Sequence, residues 1–146
     1  CVFTDAATHL IADVNGYFPA GSSFVPLVPG RLLETRVGAG STVDGLFWQL
    51  GARGAGSTTE LVVAGRGGVP DDAVAVVLNL TVTGPSAGGY LTVFPCGSAQ
   101  PTASSLNFVA GQTVPNAVIA KVGVGGKVCV FTDAATHLIA DVNGYF

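Results

Sequence analysis

The most constraining feature of this chain is an exact internal repeat. Residues 1–18 read CVFTDAATHLIADVNGYF, and the same eighteen residues recur 128 positions later, at 129–146. The identity extends to polar residues such as Thr4 and His9, which shared strand chemistry alone would leave free to vary. The sequence therefore predicts a tandem array with a 128-residue period, of which this chain holds one period and an overlap. An engineered duplication of one end is the alternative.

The length of the period predicts how the array is divided. It is too long for a solenoid unit of roughly 20–50 residues, and it suits an array of whole domains. Residues 1–18 are then the C-terminal strands of the preceding repeat, 19–30 form an inter-repeat linker, and 31–146 form the repeat domain. The linker, PAGSSFVPLVPG, contains three prolines and is expected to be stiffer than a Gly/Ser tether.

Composition excludes several classes of protein. Charged residues make up 10% of the chain and apolar residues 49%, with 21 glycines and 8 prolines. The chain is too apolar for intrinsic disorder. Its net charge of −3 and its lack of a basic cluster argue against nucleic-acid binding. Its apolar runs are far shorter than the ~18 residues of a membrane-spanning helix, so we expect no membrane insertion.

The arrangement of apolar residues predicts an all-β fold. Short runs rich in Val, Leu, Ile, Phe and Thr are separated by turns dense in Gly, Pro and Asp. About nine strands per period imply two packed sheets or a closed barrel. We expect a β-sandwich of jelly-roll or immunoglobulin-like type, with a β-trefoil as the alternative. The candidate strands are 9–17, 31–36, 46–50, 60–64, 73–83, 90–94, 105–109, 117–122, 127–132 and 137–145.

The three cysteines become an even set once the repeat is considered. Cys1 is the copy of Cys129, so each period contains two cysteines, and we predict a Cys96–Cys129 disulfide. Cys1 would pair with a cysteine of the preceding repeat. A bridge closing a loop of about 33 residues stabilises a domain by roughly 3–4 kcal/mol. It favours an extracellular location, and free thiols in a reducing cytosol are the alternative.

Five motifs carry a resemblance to a known type of module. They are RLLETR (31–36), GGVPDDAVAVVLNLTVT (67–83), GYLTVFPCG (89–97), SSLNFVAGQTVPNAV (104–118) and HLIADVNGYF (137–146). In this order they resemble an all-β module of large secreted or surface proteins of actinobacteria and related bacteria, where it occurs in tandem or appended to secreted hydrolases. The resemblance implies a secreted or cell-surface location and a non-catalytic, accessory role.

The residue inventory gives little support to catalysis or metal binding. Each period has one histidine position, no GxSxG elbow and no paired carboxylates, so we expect no enzyme and no catalytic residues. Asp133, His137 and Asp141 are ligand-type residues four positions apart, and Asp5, His9 and Asp13 are their copies. On strands they would not converge, so we expect neither a metal site nor a cofactor.

Two functions of different class remain. The first is a structural repeat of an extracellular fibre, stalk or surface protein, with identical repeats joined head to tail and the terminal strand segment contributing to a neighbouring repeat. Its expected inter-repeat contacts are Leu10, Ala12, Val14, Tyr17, Phe18, Arg31, Glu34 and Arg36. For the three charged residues, a structural ion pair within one repeat is the alternative.

The second function is a carbohydrate-binding accessory module of a secreted bacterial protein. Trp48, in the motif FWQL, is the candidate glycan contact, because sugars stack on exposed aromatic rings. A core position for this side chain is the alternative. The partner in this case is a polysaccharide.

Overall fold

A computed structural model describes residues 2–7 and 17–146 of the chain, and these residues form eight β-strands. No helix is present among these residues. The strands are β1 (Val25–Glu34), β2 (Ser57–Val62), β3 (Ala75–Thr83), β4 (Gly89–Pro95), β5 (Leu106–Phe108), β6 (Thr113–Lys121), β7 (Lys127–Thr132) and β8 (His137–Tyr145).

The strands form two antiparallel, four-stranded sheets. Their orders are β1-β8-β3-β6 and β2-β7-β4-β5, so the first and last strands of the fold are neighbours in one sheet. This is the strand order of an eight-stranded jelly roll. The predicted all-β sandwich is therefore confirmed in its jelly-roll variant, with eight strands rather than about nine. The β-trefoil alternative is wrong, because the strands form two separate sheets.

The core lies between the two sheets and follows the two-residue period of the strands. Along β3, Val76, Leu78, Leu80 and Val82 are buried, and the residues between them are half-buried. Leu91 from β4 and Val128 and Val130 from β7 are among the core residues of the other sheet. The apolar run 74–78 is thus buried on one face only. The other face of this run, Ala75 and Val77, is apolar as well but is only half-buried.

The largest differences from the predicted strands lie in two segments. β1 begins at Val25, so the last six residues of the predicted 19–30 linker belong to the sheet. The prolines of this stretch are the reason that the sequence did not predict a strand here. They are tolerated because β1 is an edge strand, where one side of the backbone has no partner.

The predicted strand at 46–50 is a loop. Phe47 and Gln49 have positive φ angles of 53° and 56°, which no strand allows. The loop hydrogen-bonds to the end of β1 instead: the Glu34 N–H donates to the Phe47 carbonyl, and the Gln49 N–H donates to the Glu34 carbonyl. Of the predicted strand 9–17, residues 9–16 lie outside the described part of the chain.

The predicted disulfide between Cys96 and Cys129 is confirmed. It joins the turn after β4 to β7 and packs in a small second cluster with Phe94 and Phe131. Cys1 lies outside the described residues. Because the two other cysteines bond to each other, this chain holds no further cysteine for Cys1.

Candidate functional site

A charge cluster links β1 to β8. Arg31 donates to Asp141 across the strand pair (Nε to Oδ1, 2.9 Å) and to Glu34 (Nη1 to Oε2, 2.9 Å). Arg36 donates to both carboxylate oxygens of Glu34, at 2.9 Å from Nε and 2.7 Å from Nη2. Glu34 is fully buried, and its charge is matched by two guanidinium groups. Such bonds are strong because the donors are charged and the acceptor is held away from water.

The electrostatics of Glu34 follow from this environment. Burial acts to raise the pKa of its carboxyl, but the hydrogen bonds from Arg36 and the charges of Arg36 and Arg31 outweigh burial. The pKa of Glu34 therefore lies below its ordinary value, and that of Arg36 is raised by the same hydrogen bond. The carboxylate is thus ionised at neutral pH and serves as an anchor. A proton donor or acceptor for catalysis would need a pKa near neutrality.

The described contacts of Arg31, Glu34 and Arg36 are all with residues of the same sandwich. Arg31 faces Asp141 and Glu34 faces Ile139, so the cluster occupies the half of β1 that is farther from Val25. These contacts match the alternative of a structural ion pair within one repeat.

A buried arginine that sequence reasoning missed, Arg66, organises the loop between β1 and β2. Arg66 is only 6% exposed and makes two hydrogen bonds to the Asp44 carboxylate, at 2.7 and 2.8 Å. It also donates to the carbonyls of Val62 and Leu32 and lies 4.9 Å from the centre of the Phe47 ring. The hydrogen bond from Arg66 lowers the pKa of Asp44 to about 2. The only sequence signal was an arginine inside a Gly-rich turn, which reads as an ordinary surface residue.

Trp48 lies at the surface of this organised loop. Its side chain is 40% exposed, and its indole Nε1 donates to the Ala39 carbonyl at 3.2 Å. The residues on either side, Phe47 and Gln49, both have left-handed backbone conformations, which are uncommon for residues other than glycine. Phe47 packs against the core, so Trp48 is held outside it. The predicted exposed aromatic is therefore present and fixed in orientation, and its core alternative is not found.

The third region is the end of the sandwich at which β1 begins and β8 ends, which we call the pole. There the rings of Phe18, Phe24 and Phe146 form a cluster. The ring centroids are 4.4 Å apart for Phe18 and Phe24, 5.3 Å for Phe24 and Phe146, and 5.9 Å for Phe18 and Phe146. An open cleft of about 420 Å³ lies beside the cluster and is lined by Phe18, Pro19, Ala20, Gly21, Ser22, Phe24 and Pro26.

The predicted inter-repeat residues therefore have different outcomes. Leu10, Ala12 and Val14 lie outside the described residues. Tyr17 is exposed, and Phe18 belongs to the aromatic cluster at the pole. Sequence reasoning missed Phe24, the partner of Phe18, because it assigned this residue to the linker.

The residues considered as metal ligands have separate roles. The His137 Nδ1 lies 3.2 Å from the Thr35 hydroxyl, Asp141 pairs with Arg31, and Asp133 follows β7 in a bend. Within residues 2–7 and 17–146, no three His, Cys, Asp or Glu side chains are grouped so that they could hold a metal ion.

No family model matches the sequence, and no curated protein matches it. None of the described residues belongs to a helix long and apolar enough to cross a membrane.

Proposed function

We propose that this protein is a structural repeat of an extracellular fibre, stalk or surface protein, in which sandwiches of this kind follow one another along one chain. The observation that carries the proposal is the exact identity of 1–18 and 129–146. In the sandwich, 129–146 supply most of β7 and all of β8. An identical stretch before β1 is what the end of a preceding sandwich requires. The motif resemblance to modules of secreted bacterial proteins points the same way.

The sandwich supports covalent continuity better than strand exchange between separate chains. β8 already lies between β1 and β3, and β7 already lies between β2 and β4. A segment 1–18 lent to another chain would have to displace an identical segment that is attached to its own sandwich. Attachment gives residues 129–146 a high effective concentration at their own place in the sheets. Residues 1–18 of another chain would therefore not displace them. The segment is therefore assigned to the preceding repeat of the same chain.

The chemistry of the fold suits an exposed, durable repeat. The disulfide supports an extracellular location, because such bonds persist in oxidising compartments. Both edge strands of the first sheet also contain prolines: Pro26 and Pro29 lie in β1 and Pro115 lies in β6. Proline on an edge strand opposes pairing with the edges of other chains. The prolines therefore limit edge-to-edge pairing of the first sheet when repeats are crowded together.

Partial proteolysis of the native protein tests the array. A protease that cuts between repeats should release a ladder of fragments separated by 128 residues, detected by an antibody against residues 19–146. Labelling of the intact material with the same antibody should decorate extended structures at many points per chain. A native protein that yields one fragment and binds one antibody would contradict the proposal.

A second candidate function is carbohydrate binding through Trp48. The specific observation is that a half-exposed indole is held in one orientation by the Ala39 carbonyl and by two left-handed neighbours. A ring fixed before binding loses little conformational entropy when a sugar stacks on it. Binding to a glycan array that is lost in Trp48→Ala, and kept in the exposed-loop control Val37→Ala, would support this function. Equal binding by both variants, or none by the unmodified protein, would remove it.

A further inference from the structure

We infer that successive repeats meet at a single pole of the sandwich and are held there by a folded aromatic joint. The joint consists of Phe18, Phe24 and Phe146 and the turn at 19–22. The inference rests on the proposed tandem array and specifies its geometry. In this arrangement the sandwiches radiate from a common line of joints, and they do not follow one another end to end.

The strand pairing places both connections of a repeat at the same end. Val25, the first residue of β1, is paired with Tyr145, the last residue of β8. Phe146 continues to the first residue of β3, where its N–H donates to the Ala75 carbonyl at 2.9 Å. The other ends of these strands, Glu34 and His137, lie at the opposite end of the sheet. A chain that passes through this fold therefore enters and leaves at one pole.

The segment between repeats is folded. The Ser22 N–H donates to the Pro19 carbonyl at 3.1 Å, and Gly21, at the third position of this turn, has a φ of +85°. This is the type II pattern, which needs glycine at the third position. The turn reverses the chain, so that the rings of Phe18 and Phe24, six residues apart, lie 4.4 Å from each other. The segment is therefore held by a turn and a ring contact, and is not a free hinge.

The sandwich has a specific place for the Phe24 ring. A Cβ on Gly144 would come within 2.4 Å of the Phe24 ring and 2.7 Å of the Val25 carbonyl oxygen, so only glycine leaves room for the ring at this point of β8. The ring also contacts Phe146, at 5.3 Å between centroids. Phe24 is thus docked on the last strand of its own repeat, and Phe18 is docked on Phe24.

Because residues 1–18 repeat residues 129–146, the contact of Phe18 with this repeat corresponds to a contact between two repeats of the array. Phe18 is the copy of Phe146, so in the array it is the last residue of the preceding repeat. Its ring lies 5.9 Å from Phe146, the last residue of the present repeat. Two consecutive repeats therefore end within one aromatic contact of each other. The partner of the pole is the pole of the next copy of this fold, and the bodies of the sandwiches must point away in different directions.

Chains of two and three repeats distinguish this geometry from an end-to-end string. They are made by appending one or two further copies of residues 19–146 to the full chain, and small-angle X-ray scattering gives the maximum dimension. A nine-residue strand is about 30 Å long, so an end-to-end string grows by about 30 Å with each repeat. Repeats that share a pole should grow by less than half of that between two and three repeats. Growth by a full repeat length would overturn the inference.

Variants of the joint supply the second measurement. Phe24→Ala removes the docked ring, and Gly21→Val strains the turn while leaving the sandwich untouched. In the three-repeat chain both should raise the maximum dimension and broaden the distance distribution. Val28→Ala is the control, since Val28 lies four residues after Phe24, in β1, and is 89% exposed. Scattering curves for Phe24→Ala and Gly21→Val that match the control would overturn the joint. Thermal unfolding of each variant shows whether its sandwiches remain folded, and Gly21→Val serves if Phe24→Ala does not fold.

The inference and the proposed function fail in different ways. End-to-end growth with every sandwich folded would overturn the shared pole and leave the tandem array in place. A native protein that gives no ladder of 128-residue fragments would overturn the array, whatever shape the extended chains adopt.

Discussion

The first residues of the two copies of the eighteen-residue sequence have opposite environments in the same molecule. In the second copy, Val130 is fully buried in β7, and Phe131 packs beside the disulfide. In the first copy, Val2 is 79% exposed and Phe3 is equally open to solvent. Residues 2–4 form no strand, although residues 130–132, which have the same sequence, belong to β7. Identical side chains thus differ in burial and in secondary structure.

One local feature is shared by both copies. The chain bends at Asp5 and Ala6, and it bends again at their counterparts Asp133 and Ala134. Asp is a residue that favours turns, because its short side chain bonds to the nearby backbone. The bend is therefore set by neighbouring residues along the chain. The strands on either side of it need partners: β7 lies between β2 and β4, and β8 lies between β1 and β3.

The strongest test of this difference in burial is to place the same charge at the same position of both copies. Val130→Asp should abolish folding, or cost more than about 4 kcal/mol, because it buries an unpaired carboxylate between the sheets. Val2→Asp should change the free energy of unfolding by less than about 0.5 kcal/mol, as exposed substitutions do. Urea unfolding followed by circular dichroism measures both. Equal losses would show that residues 1–18 are an integral part of this sandwich.

The cysteines give the next largest difference. Cys129→Ser removes the bridge to Cys96 and should lower the free energy of unfolding by about 3–4 kcal/mol, the contribution of closing a loop of this length. Cys1→Ser should leave it unchanged. A reductant should lower the urea midpoint of the unmodified protein and of Cys1→Ser, and should have no effect on Cys129→Ser. A midpoint for Cys129→Ser that equals that of the unmodified protein would contradict the structural role of the bridge.

Truncation of the phenylalanine at the third position of each copy, Phe3 and Phe131, tests the same difference in burial. Phe131→Ala should lower the free energy of unfolding by about 2 kcal/mol, because this half-buried ring packs against the Phe94 and disulfide cluster. Its ring also lies 5.8 Å from that of Tyr90. Phe3→Ala is the control of identical chemistry and should have no measurable effect. Thermal unfolding of the two variants side by side decides the matter, and equal shifts would refute the difference in burial.

The smallest expected effect is the dependence of stability on pH. The pKa values of Glu34 and Asp44 are both lowered in the folded state, that of Asp44 to about 2. Groups of this kind stabilise the protein above their unfolded pKa values, near 4, and the stabilisation is lost as the pH falls towards 2. Stability should therefore decline over this range, by on the order of 1 kcal/mol for Asp44, with a further loss in the same direction from Glu34.

Two variants test whether the loss of stability at acidic pH arises from groups of the sandwich. Asp44→Asn should flatten the decline in part, because the carboxylate paired with Arg66 no longer titrates. Removal of residues 1–17 should leave the decline unchanged, since both carboxylates belong to the sandwich. A decline that disappears with residues 1–17 would place the responsible groups in the first copy.

Much of the fold was predictable from the sequence, for reasons that differ between elements. The candidate strand 73–83, a run rich in Val, Leu and Thr between two turns, predicted β3. The disulfide followed from the repeat, which left two cysteines per period. β1 was predicted only in its second half, because proline in a strand is acceptable only at a sheet edge. Which strand lies at an edge is decided by the whole sheet.

The candidate sites were less predictable. Arg31, Glu34 and Arg36 were singled out in the sequence, either as inter-repeat contacts or as an ion pair within one repeat. Their partner across the sheet depends on the register between β1 and β8. Arg66 was not distinguishable from a surface arginine, because its burial depends on a loop that folds over it from 22 residues earlier in the chain. The aromatic joint was missed because a turn joins residues that the linker interpretation kept apart.

The sequence by itself determined the period of the molecule, its β character, its turns and the bends at Asp5 and Asp133. These are local properties, set by residues adjacent along the chain. Only the tertiary structure decided which copy of CVFTDAATHLIADVNGYF becomes a buried strand pair and which leaves its first residues exposed. A strand is completed by the hydrogen bonds and apolar surfaces of its neighbours, and each sandwich has one place for those eighteen residues.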